Sequence, residues 1–323
     1  MTGVLVALLL SQADVPRDAA GTWADPARTA FLVPGARSIL SGFSPVSFDG
    51  LQPAASAVSF DGVLLRYPAH GFFGPTSLPA SWLDGVQVSR AAGSAEQGRT
   101  LGRSLTLLPR ASPSSGWHGS VRLDVLSTGL SVSGVVPETK TQVLAAARFF
   151  TLPAIGASLF KVRALLGDWQ LRVAQPIADG ELRVIALGAA NDVALTVSGI
   201  PLTARIVSQL ADARWTSGAL ELGLTGSHDS IALAIRGTQT RNDIIGGEQA
   251  LTARAAFRPK VADEIHLAVG GDASVRRVVV SRASETALPP LPGVDPTIVS
   301  SSSRQDLGAA FTAGLFVEAK DTV

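Results

Sequence analysis

The 323-residue sequence contains no cysteine, which excludes structural disulfides and thiolate metal sites. The absence also suits a protein that crosses an oxidising compartment and must avoid mispaired thiols. Charged residues make up only 16% of the chain, the net charge is +1 and no Lys/Arg cluster stands out. Nucleic-acid binding needs a basic footprint, so DNA and RNA are excluded as partners.

Long hydrophobic runs are also missing. No uninterrupted apolar run reaches about 18 residues, so the sequence offers no transmembrane helix. Yet 46% of the residues are hydrophobic and the mean hydropathy is +0.30, more than a typical soluble all-β protein needs. High hydropathy without a spanning helix is expected of a membrane β-barrel, because only every second residue of a strand faces lipid.

What the sequence does contain is alternation of apolar and polar residues, which begins near His118 and continues almost to the C-terminus. In the segment 120–125, three apolar residues fall on one strand face while Arg122 and Asp124 fall on the other. Soluble sandwiches alternate too, but a polar face rich in Gly, Ala, Ser and Thr with few charges favours a barrel. About ten or eleven strands can be placed, at roughly 118–126, 129–136, 141–149, 168–175, 180–188, 215–226, 229–239, 249–257, 263–270, 275–281 and 307–318.

The N-terminus predicts export. Residues 4–10 form a short apolar core, and Ser11-Gln12-Ala13 after them is a small-x-small tripeptide suited to signal peptidase. No basic residue precedes Val4, so we interpret residues 1–13 as a truncated signal peptide, with a buried strand as the alternative.

Turn-forming residues dominate between the signal peptide and the alternating region. Asp49-Gly50 and Asp61-Gly62 each follow a phenylalanine and predict tight turns. The Pro/Ser-rich segment 111–116 predicts a flexible junction. The predicted organisation is a signal peptide over 1–13, a small mixed domain over 14–110, a linker over 111–116 and a partial β-barrel over 117–323.

Four segments of the small domain resemble the plug domain of TonB-dependent outer-membrane receptors: 33–40, 57–65, 82–90 and 93–102. In that family a Pro-Gly segment opens the plug, an apolar strand ends in Asp-Gly-Val, and a second strand ends in Glu-Val-x-Arg-Gly. A glycine-rich turn then precedes the first barrel strand. The residues that carry the resemblance are Pro34, Gly35, Asp61, Gly62, Val88, Arg90, Gly98 and Gly102.

The resemblance implies a receptor in the outer membrane of a Gram-negative-type bacterium, with a plug inside a transmembrane β-barrel. Ligand would bind on the outer face, and TonB would pull on the plug from the periplasm to open a path. The implied partners are outer-membrane lipid, TonB and an extracellular ligand that the sequence does not identify, with no cofactor. The predicted strands are about half of the 22 found in plugged transporters. A fragment or truncated gene product is therefore expected, with a smaller closed barrel as the alternative.

Loop lengths predict the orientation of the barrel. The segments 137–140 and 177–180 are typical of short periplasmic turns, whereas 189–214 and the Pro/Ser-rich 283–303 predict long external loops. Trp117, Trp169 and Trp215 fall at predicted strand starts, where interfacial aromatic residues belong.

The segment 67–73 is the densest aromatic cluster of the sequence and is expected at the plug apex. Its candidate ligand-facing residues are Tyr67, His70, Phe72 and Phe73. Packing against the barrel wall is the favoured interpretation of this segment, and ligand contact is the alternative.

Enzyme signatures are poor. The sequence has no Gly-x-Ser-x-Gly elbow, Walker loop or His-Glu-x-x-His motif, and Ser158-Leu159-Phe160-Lys161 lacks the companion motifs of penicillin-binding enzymes. Asp263-Glu264 beside His266 predicts a solvated turn rather than a metal site. No catalytic, metal-binding or cofactor-binding residue is therefore expected. Two other functions stay open: a secreted soluble all-β binding or adhesion module with face-to-face sheets, and a degenerate receptor fragment without transport activity.

Overall fold

The computed structural model describes most of the chain after the predicted signal peptide. The described residues are 12–15, 25–40, 43–51, 55–66, 68–70, 75–92, 102–111, 115–123, 127–150, 163–237, 240–260, 265–287 and 298–321. They are mainly β-strand, and among them no helix is long and apolar enough to cross a membrane. Of the predicted signal peptide only Gln12 and Ala13 are described, and both lie in the first strand. Removal of residues 1–13 stays a prediction.

Seven short strands precede residue 110. They are β1 (Gln12–Val15), β2 (Ala36–Leu40), β3 (Phe43–Phe48), β4 (Ala57–Phe60), β5 (Val63–Leu65), β6 (Leu83–Ala92) and β7 (Arg103–Pro109). Five of them form a sheet in the order β1-β6-β7-β4-β5, which we call the N-terminal sheet. Only β4 and β7 pair in parallel, so the sheet is mixed, as predicted. β2 and β3 form a separate hairpin, and a short helix, Pro26–Thr29, with the 3₁₀ turns Ala30–Leu32 and Ala80–Trp82 completes this part.

Both predicted Asp-Gly turns are present. Asp49 and Asp61 have φ angles of +54° and +50°, and the glycines after them have φ angles of +77° and +80°. Two consecutive left-handed residues make the turn that matches the twist of the flanking strands. The second turn, between β4 and β5, contacts strands outside the N-terminal sheet.

Ten further strands form one antiparallel sheet, which we call the wall. They are β8 (Trp117–Leu123), β9 (Ser127–Val136), β10 (Thr141–Phe150), β11 (Arg163–Ile177), β12 (Gly180–Val197), β13 (Ile200–Ser217), β14 (Leu220–Arg236), β15 (Thr240–Phe257), β16 (Ile265–Ala287) and β17 (Ile298–Asp321). Each strand pairs with its neighbours in sequence, so the order runs from β17 to β8 without a crossover. β8 and β17 do not pair with each other in the described part of the chain, and each has one edge without a neighbouring strand.

The predicted fold class is confirmed, but several strands are much longer than predicted. The segment 189–214 is not a loop: β12 continues to Val197, and β13 starts at Ile200 after a tight turn at Ser198-Gly199. The predicted strands 215–226 and 229–239 are wrong as well, because one strand, β14, spans most of both. Likewise β16 replaces 263–270 and 275–281.

The predicted loop 283–303 is also shorter than expected, since β16 ends at Ala287 and β17 starts at Ile298. The turns at 137–140 and 178–179 are present as predicted. Trp117 does begin a strand, whereas Trp169 lies in the middle of β11 and Trp215 near the end of β13, so their predicted positions were wrong.

The two faces of the wall differ in polarity. One face carries large apolar side chains that are exposed, among them Leu222 at 44%, Leu251 at 54% and Leu315 at 95%. The other face carries the buried polar and charged side chains of the wall, including Asp168, Gln170, Asn191, Asp212, Arg214, Glu221 and Asp229. Strand alternation of period two separates the two sets. The wall is therefore apolar towards its surroundings and polar towards the N-terminal sheet, the reverse of a soluble protein.

The N-terminal sheet packs against the polar face of the wall through a shared core. Phe48, Phe60 and Trp82 are fully buried there, and they belong to the same apolar cluster as Leu144 and Ile185 of the wall. Burying side chains of this size stabilises a fold by about 1.5–3 kcal/mol each. This cluster holds the two sheets together.

Candidate functional site

The junction between the N-terminal sheet and the wall is the candidate functional site. Its centre is the Asp61-Gly62 turn, which contacts three arginines of the wall. Arg172 Nε donates a hydrogen bond to Asp61 Oδ2 over 3.0 Å, and Arg183 donates to Oδ1. Arg214 donates to the backbone carbonyl of Asp61 over 3.2 Å. One turn of the plug-like domain thus receives hydrogen bonds from three adjacent strands.

The register of the wall brings these arginines together. Arg183 of β12 pairs directly with Arg214 of β13, and Arg172 of β11 pairs with Ile185, two residues further along β12. All three point to the polar face because they occupy alternate positions on neighbouring strands. Like charges this close repel one another, so the Asp61 carboxylate between them offsets that repulsion.

Gly62 permits the close approach of the turn. A Cβ atom at this position would lie 2.5 Å from Arg214 Nη1, and the φ angle of +80° strains any other residue. Only glycine meets both conditions here.

Two more arginines extend the charged surface. Glu221 of β14 receives Arg258 Nη1 at 2.8 Å and lies 3.7 Å from Arg214 Nε and 3.8 Å from Arg254 Nε. Asp212 accepts a hydrogen bond from Thr225 and lies 3.6 Å from Arg214 Nη2. We call Arg172, Arg183, Arg214, Arg254 and Arg258 the arginine cluster. The carboxylates near it are those of Asp61, Asp212 and Glu221, and Asp272 of β16 lies opposite Arg254 in the strand register.

A second polar contact centres on His70. Its side chain is fully buried, with Nε2 2.7 Å from Asp168 Oδ2 and Nδ1 2.7 Å from Asn191 Oδ1. Asp168 also accepts hydrogen bonds from Arg148, at 2.7 and 3.0 Å, and from Gln170 at 2.7 Å. A buried carboxylate needs hydrogen-bond donors of this kind, and the number of donors around Asp168 supports a structural role for the contact.

A third contact joins the end of β5 to the far strands of the wall. Arg66 pairs with Glu248 of β15, which also receives Arg276 Nε at 2.8 Å. Ion pairs and hydrogen bonds therefore fasten the N-terminal part to the wall at three places, which are centred on Asp61, His70 and Arg66.

The other predicted plug residues lie within the N-terminal part. Gly35 has a φ angle of +87°, and the turn that it shares with Pro34 is tied to Arg103, whose Nη1 donates to the Pro34 carbonyl over 3.2 Å. Gly102 donates its N–H to the Ala55 carbonyl over 2.8 Å, and a Cβ there would lie 3.2 Å from that oxygen. Val88 is fully buried in β6, which also contains Arg90. Pro34, Gly35, Val88 and Gly102 shape the N-terminal part and are not among the residues that contact the wall at Asp61, His70 and Arg66.

Of the predicted apex residues only His70 is described; Tyr67, Phe72, Phe73 and the plug residue Gly98 lie outside the described residues. His70 packs edge to face on Phe150 of the wall, with ring centroids 4.8 Å apart. Ligand contact by this segment stays a prediction. Among the described residues, no group of three or more His, Asp or Glu side chains is placed to hold a metal ion.

The arginines and carboxylates of the wall were missed from the sequence. Their signal is a charged residue in an otherwise small or apolar strand, as at Arg172, Arg183 and Arg214. In the sequence such residues are equally typical of solvent-facing positions. Only the strand register shows that the three arginine side chains lie close together.

Comparison with known proteins gives a likeness of fold. The siderophore receptor PirA from Acinetobacter baumannii has a TM-score of 0.58 at 12% identity, over 97% of this chain and 59% of its own. The ferric yersiniabactin uptake receptor FyuA from Yersinia pestis has a TM-score of 0.53 at 12% identity, over 95% and 61%. The copper transporter OprC has a TM-score of 0.63 at 11% identity, over 91% and 49%.

No protein-family model and no curated protein matches the sequence. The structural likeness confirms the predicted resemblance at the level of fold: over nearly its whole length the chain matches structures of TonB-dependent outer-membrane receptors. The chain spans about half to three fifths of the length of these receptors.

Proposed function

We propose that the chain acts as an outer-membrane receptor-like protein that takes part in TonB-dependent uptake of a scarce ligand. The N-terminal sheet is the plug and the wall is part of a transmembrane β-barrel. The protein binds and admits its ligand and performs no chemistry. One observation carries this proposal: a small mixed domain fills the polar face of a long antiparallel sheet whose opposite face is apolar and exposed.

The exposed apolar face supports the membrane location. A water-soluble sheet buries its apolar face, whereas a barrel turns that face to lipid and its polar face to the lumen. Leu220, Leu222 and Leu224 of β14 alternate with the inward-facing Glu221 in this sense. Strands such as β11 and β14, with 15 and 17 residues, exceed the 9–11 residues that span a bilayer at a tilt.

The charged junction supports the role of a plug that moves. Ion pairs and hydrogen bonds that face a polar lumen can be replaced by water when the plug shifts, whereas a wholly apolar interface would lose its burial energy. Asp61 and Arg66 each provide such a replaceable contact.

The connections set the orientation that we propose. The tight turns at 137–140, 178–179 and 218–219 lie at one end of the wall, the periplasmic end, from which TonB would pull. The opposite end carries the long connections at 151–162 and 288–297 as well as the tight turn at Ser198-Gly199, and it faces the outside, where the ligand arrives. Binding of the isolated periplasmic domain of TonB to the detergent-solubilised chain, measured by calorimetry, tests the coupling.

The membrane location is tested by purifying the full chain with and without detergent. We expect precipitation in buffer, and in micelles a folded β-species whose electrophoretic mobility changes on heating. Replacing Leu224, half-exposed on the apolar face, with arginine should lower the stability in lipid vesicles by about 2–4 kcal/mol if the site is near the bilayer centre. Thr196→Arg, at an exposed position near the end of β12, serves as the control and should change it little.

A secreted soluble β-module predicts the opposite result. Such a protein would be monomeric and cooperatively folded in plain buffer, and Leu224→Arg would be neutral because an exposed surface substitution costs less than about 0.5 kcal/mol. That outcome would refute the membrane proposal.

A further inference from the structure

The charge balance around Asp61 suggests more than a mechanical contact. Arg214 lies beside Asp212 and Glu221 of the wall, Arg258 pairs with Glu221, and Arg254 lies near Glu221 and opposite Asp272 in the strand register. The carboxylate that pairs with Arg172 and Arg183 is that of Asp61, which comes from the N-terminal sheet. If the turn moved away, Arg172 and Arg183 would lose the carboxylate that both contact, on a polar, partly desolvated surface.

Around Arg172 and Arg183, the described part of the wall provides no carboxylate in place of that of Asp61. The Arg214 side chain is buried, and its Nε has no hydrogen-bond partner among the described residues. Arg172 and Arg183 are mostly buried as well, and among the described residues their carboxylate partner is Asp61. Guanidinium groups held in this way are costly without an anion, so a replacement for the Asp61 carboxylate would bind favourably.

Asp61 occupies this position in the way a bound ligand would. It sits at the tip of a two-residue turn, its carboxylate accepts hydrogen bonds from two strands, and Gly62 leaves room for Arg214 to reach the backbone. The carboxylate thus fills an anion-binding site of the wall from outside the wall.

We infer that the arginine cluster is an anion-binding site on the route between plug and wall, closed in the resting state by Asp61 and taken over by an anionic group of the ligand when the plug moves. This inference rests on the proposed function and narrows the ligand to a molecule that carries carboxylate or phosphate groups. Planar guanidinium groups form bidentate hydrogen bonds with carboxylate and phosphate groups, and they bind neutral ligands less tightly.

The inference is tested by chemical rescue of Asp61→Gly in the full chain. Glycine tolerates the φ angle of +50° and leaves space for a small anion. Without its carboxylate the variant should unfold roughly 10 °C below the parent chain, since breaking a partly buried ion pair is strongly destabilising. Acetate should then raise the unfolding temperature of this variant, and phosphate should do the same at lower concentration because it accepts more hydrogen bonds.

Asp49→Gly is the matched control, because Asp49 opens the other Asp-Gly turn and pairs with Arg103 inside the N-terminal part instead of with the wall. Sodium chloride at equal ionic strength controls for screening. The site is supported if acetate or phosphate raises the unfolding temperature of Asp61→Gly but not that of the parent chain or of Asp49→Gly. Adding Arg183→Gln to Asp61→Gly should abolish this rescue. Equal effects of acetate and chloride on Asp61→Gly would overturn it. Both results are read as unfolding temperatures of folded protein, so they are independent of whether Leu224→Arg refutes the membrane location.

Discussion

At the scale of single residues, the junction depends on contacts that differ in what they tolerate. The Asp61-Gly62 turn needs a backbone that only glycine adopts easily and an approach that no Cβ allows, whereas His70 needs two hydrogen-bond partners in a buried place. Control variants can test these requirements separately, because the chain has a second Asp-Gly turn, with Gly50, and a histidine on the surface, His118.

Gly62→Ala should destabilise the protein more than Gly50→Ala. Both glycines follow an aspartate in a left-handed turn, with φ angles of +80° and +77°, so the backbone strain of about 1 kcal/mol is shared. Only at Gly62 does the added Cβ meet a side chain, Arg214, whereas a Cβ placed on Gly50 has no non-neighbouring atom within 4 Å. We expect an additional loss of about 1–2 kcal/mol at Gly62, typical of overpacking, measured by urea unfolding in micelles. Equal losses would mean that the turn does not press on the wall.

His70→Leu should cost about 1–3 kcal/mol in the free energy of unfolding, because it leaves Asn191 and one lone pair of Asp168 without their partner in a buried place. His118→Leu is the control: its Nε2 lies 3.3 Å from the Ser115 carbonyl on the surface, and its loss should stay within about 0.5 kcal/mol. Denaturant titration of the three proteins measures the difference. A His70 variant as stable as the parent would show that the network does not hold the sheets together.

At the scale of the elements, the sequence predicted correctly that the second part of the chain forms antiparallel strands, but it predicted the lengths of several strands wrongly. The strands found by alternation are those whose outer residues are apolar, such as 220–226, where Leu220, Leu222 and Leu224 are exposed. Where a strand continues beyond this apolar band, alternation disappears. Residues 188–192, Gly-Ala-Ala-Asn-Asp, are small or polar on both faces, so they read as a loop although they lie inside β12.

The contacts between the Asp61-Gly62 turn and the wall could not be predicted from the sequence, for a related reason. The Asp-Gly turn was predicted from local chemistry, since left-handed turns need those residues. Its partners Arg172, Arg183 and Arg214 are separated along the chain and converge only through the register of three strands. A single sequence carries no direct signal of register, so the turn could be found but its binding partners could not.

Ala204→Pro tests whether 189–214 is strand rather than loop. Ala204 pairs with Val193 on one side and Leu233 on the other, so proline there loses a ladder hydrogen bond and disturbs two neighbours. We expect a loss of about 3 kcal/mol or more, or failure to fold, whereas Ala204→Val should be tolerated because β-branched residues suit strands. Folding yield in micelles and far-ultraviolet circular dichroism measure both variants. Normal folding of the proline variant would restore the loop interpretation.

At the scale of the whole molecule, the wall has two edges, β8 and β17, that lack a neighbour in the described part of the chain. Unpaired backbone groups in a membrane cost several kcal/mol each, so the edges of the 323-residue chain should pair with something. Because the wall has ten antiparallel strands, β8 and β17 run in opposite directions. The β8 of one chain can therefore pair antiparallel with the β17 of a second chain that has the same orientation. We therefore expect the purified chain to associate through its edges in detergent.

The absence of cysteine makes this association measurable. Val121→Cys in β8 and Phe311→Cys in β17 place single thiols on exposed edge residues, and His228→Cys places one in the middle of the wall. Mixing the first two variants and oxidising them, or joining them with a short thiol crosslinker, should give dimers of Val121→Cys with Phe311→Cys. Mixtures that contain His228→Cys should give far fewer. Edge pairing brings β8 and β17 close together, whereas chance collision does not distinguish the three positions. Equally low crosslinking in all mixtures would therefore show that the edges do not pair between chains.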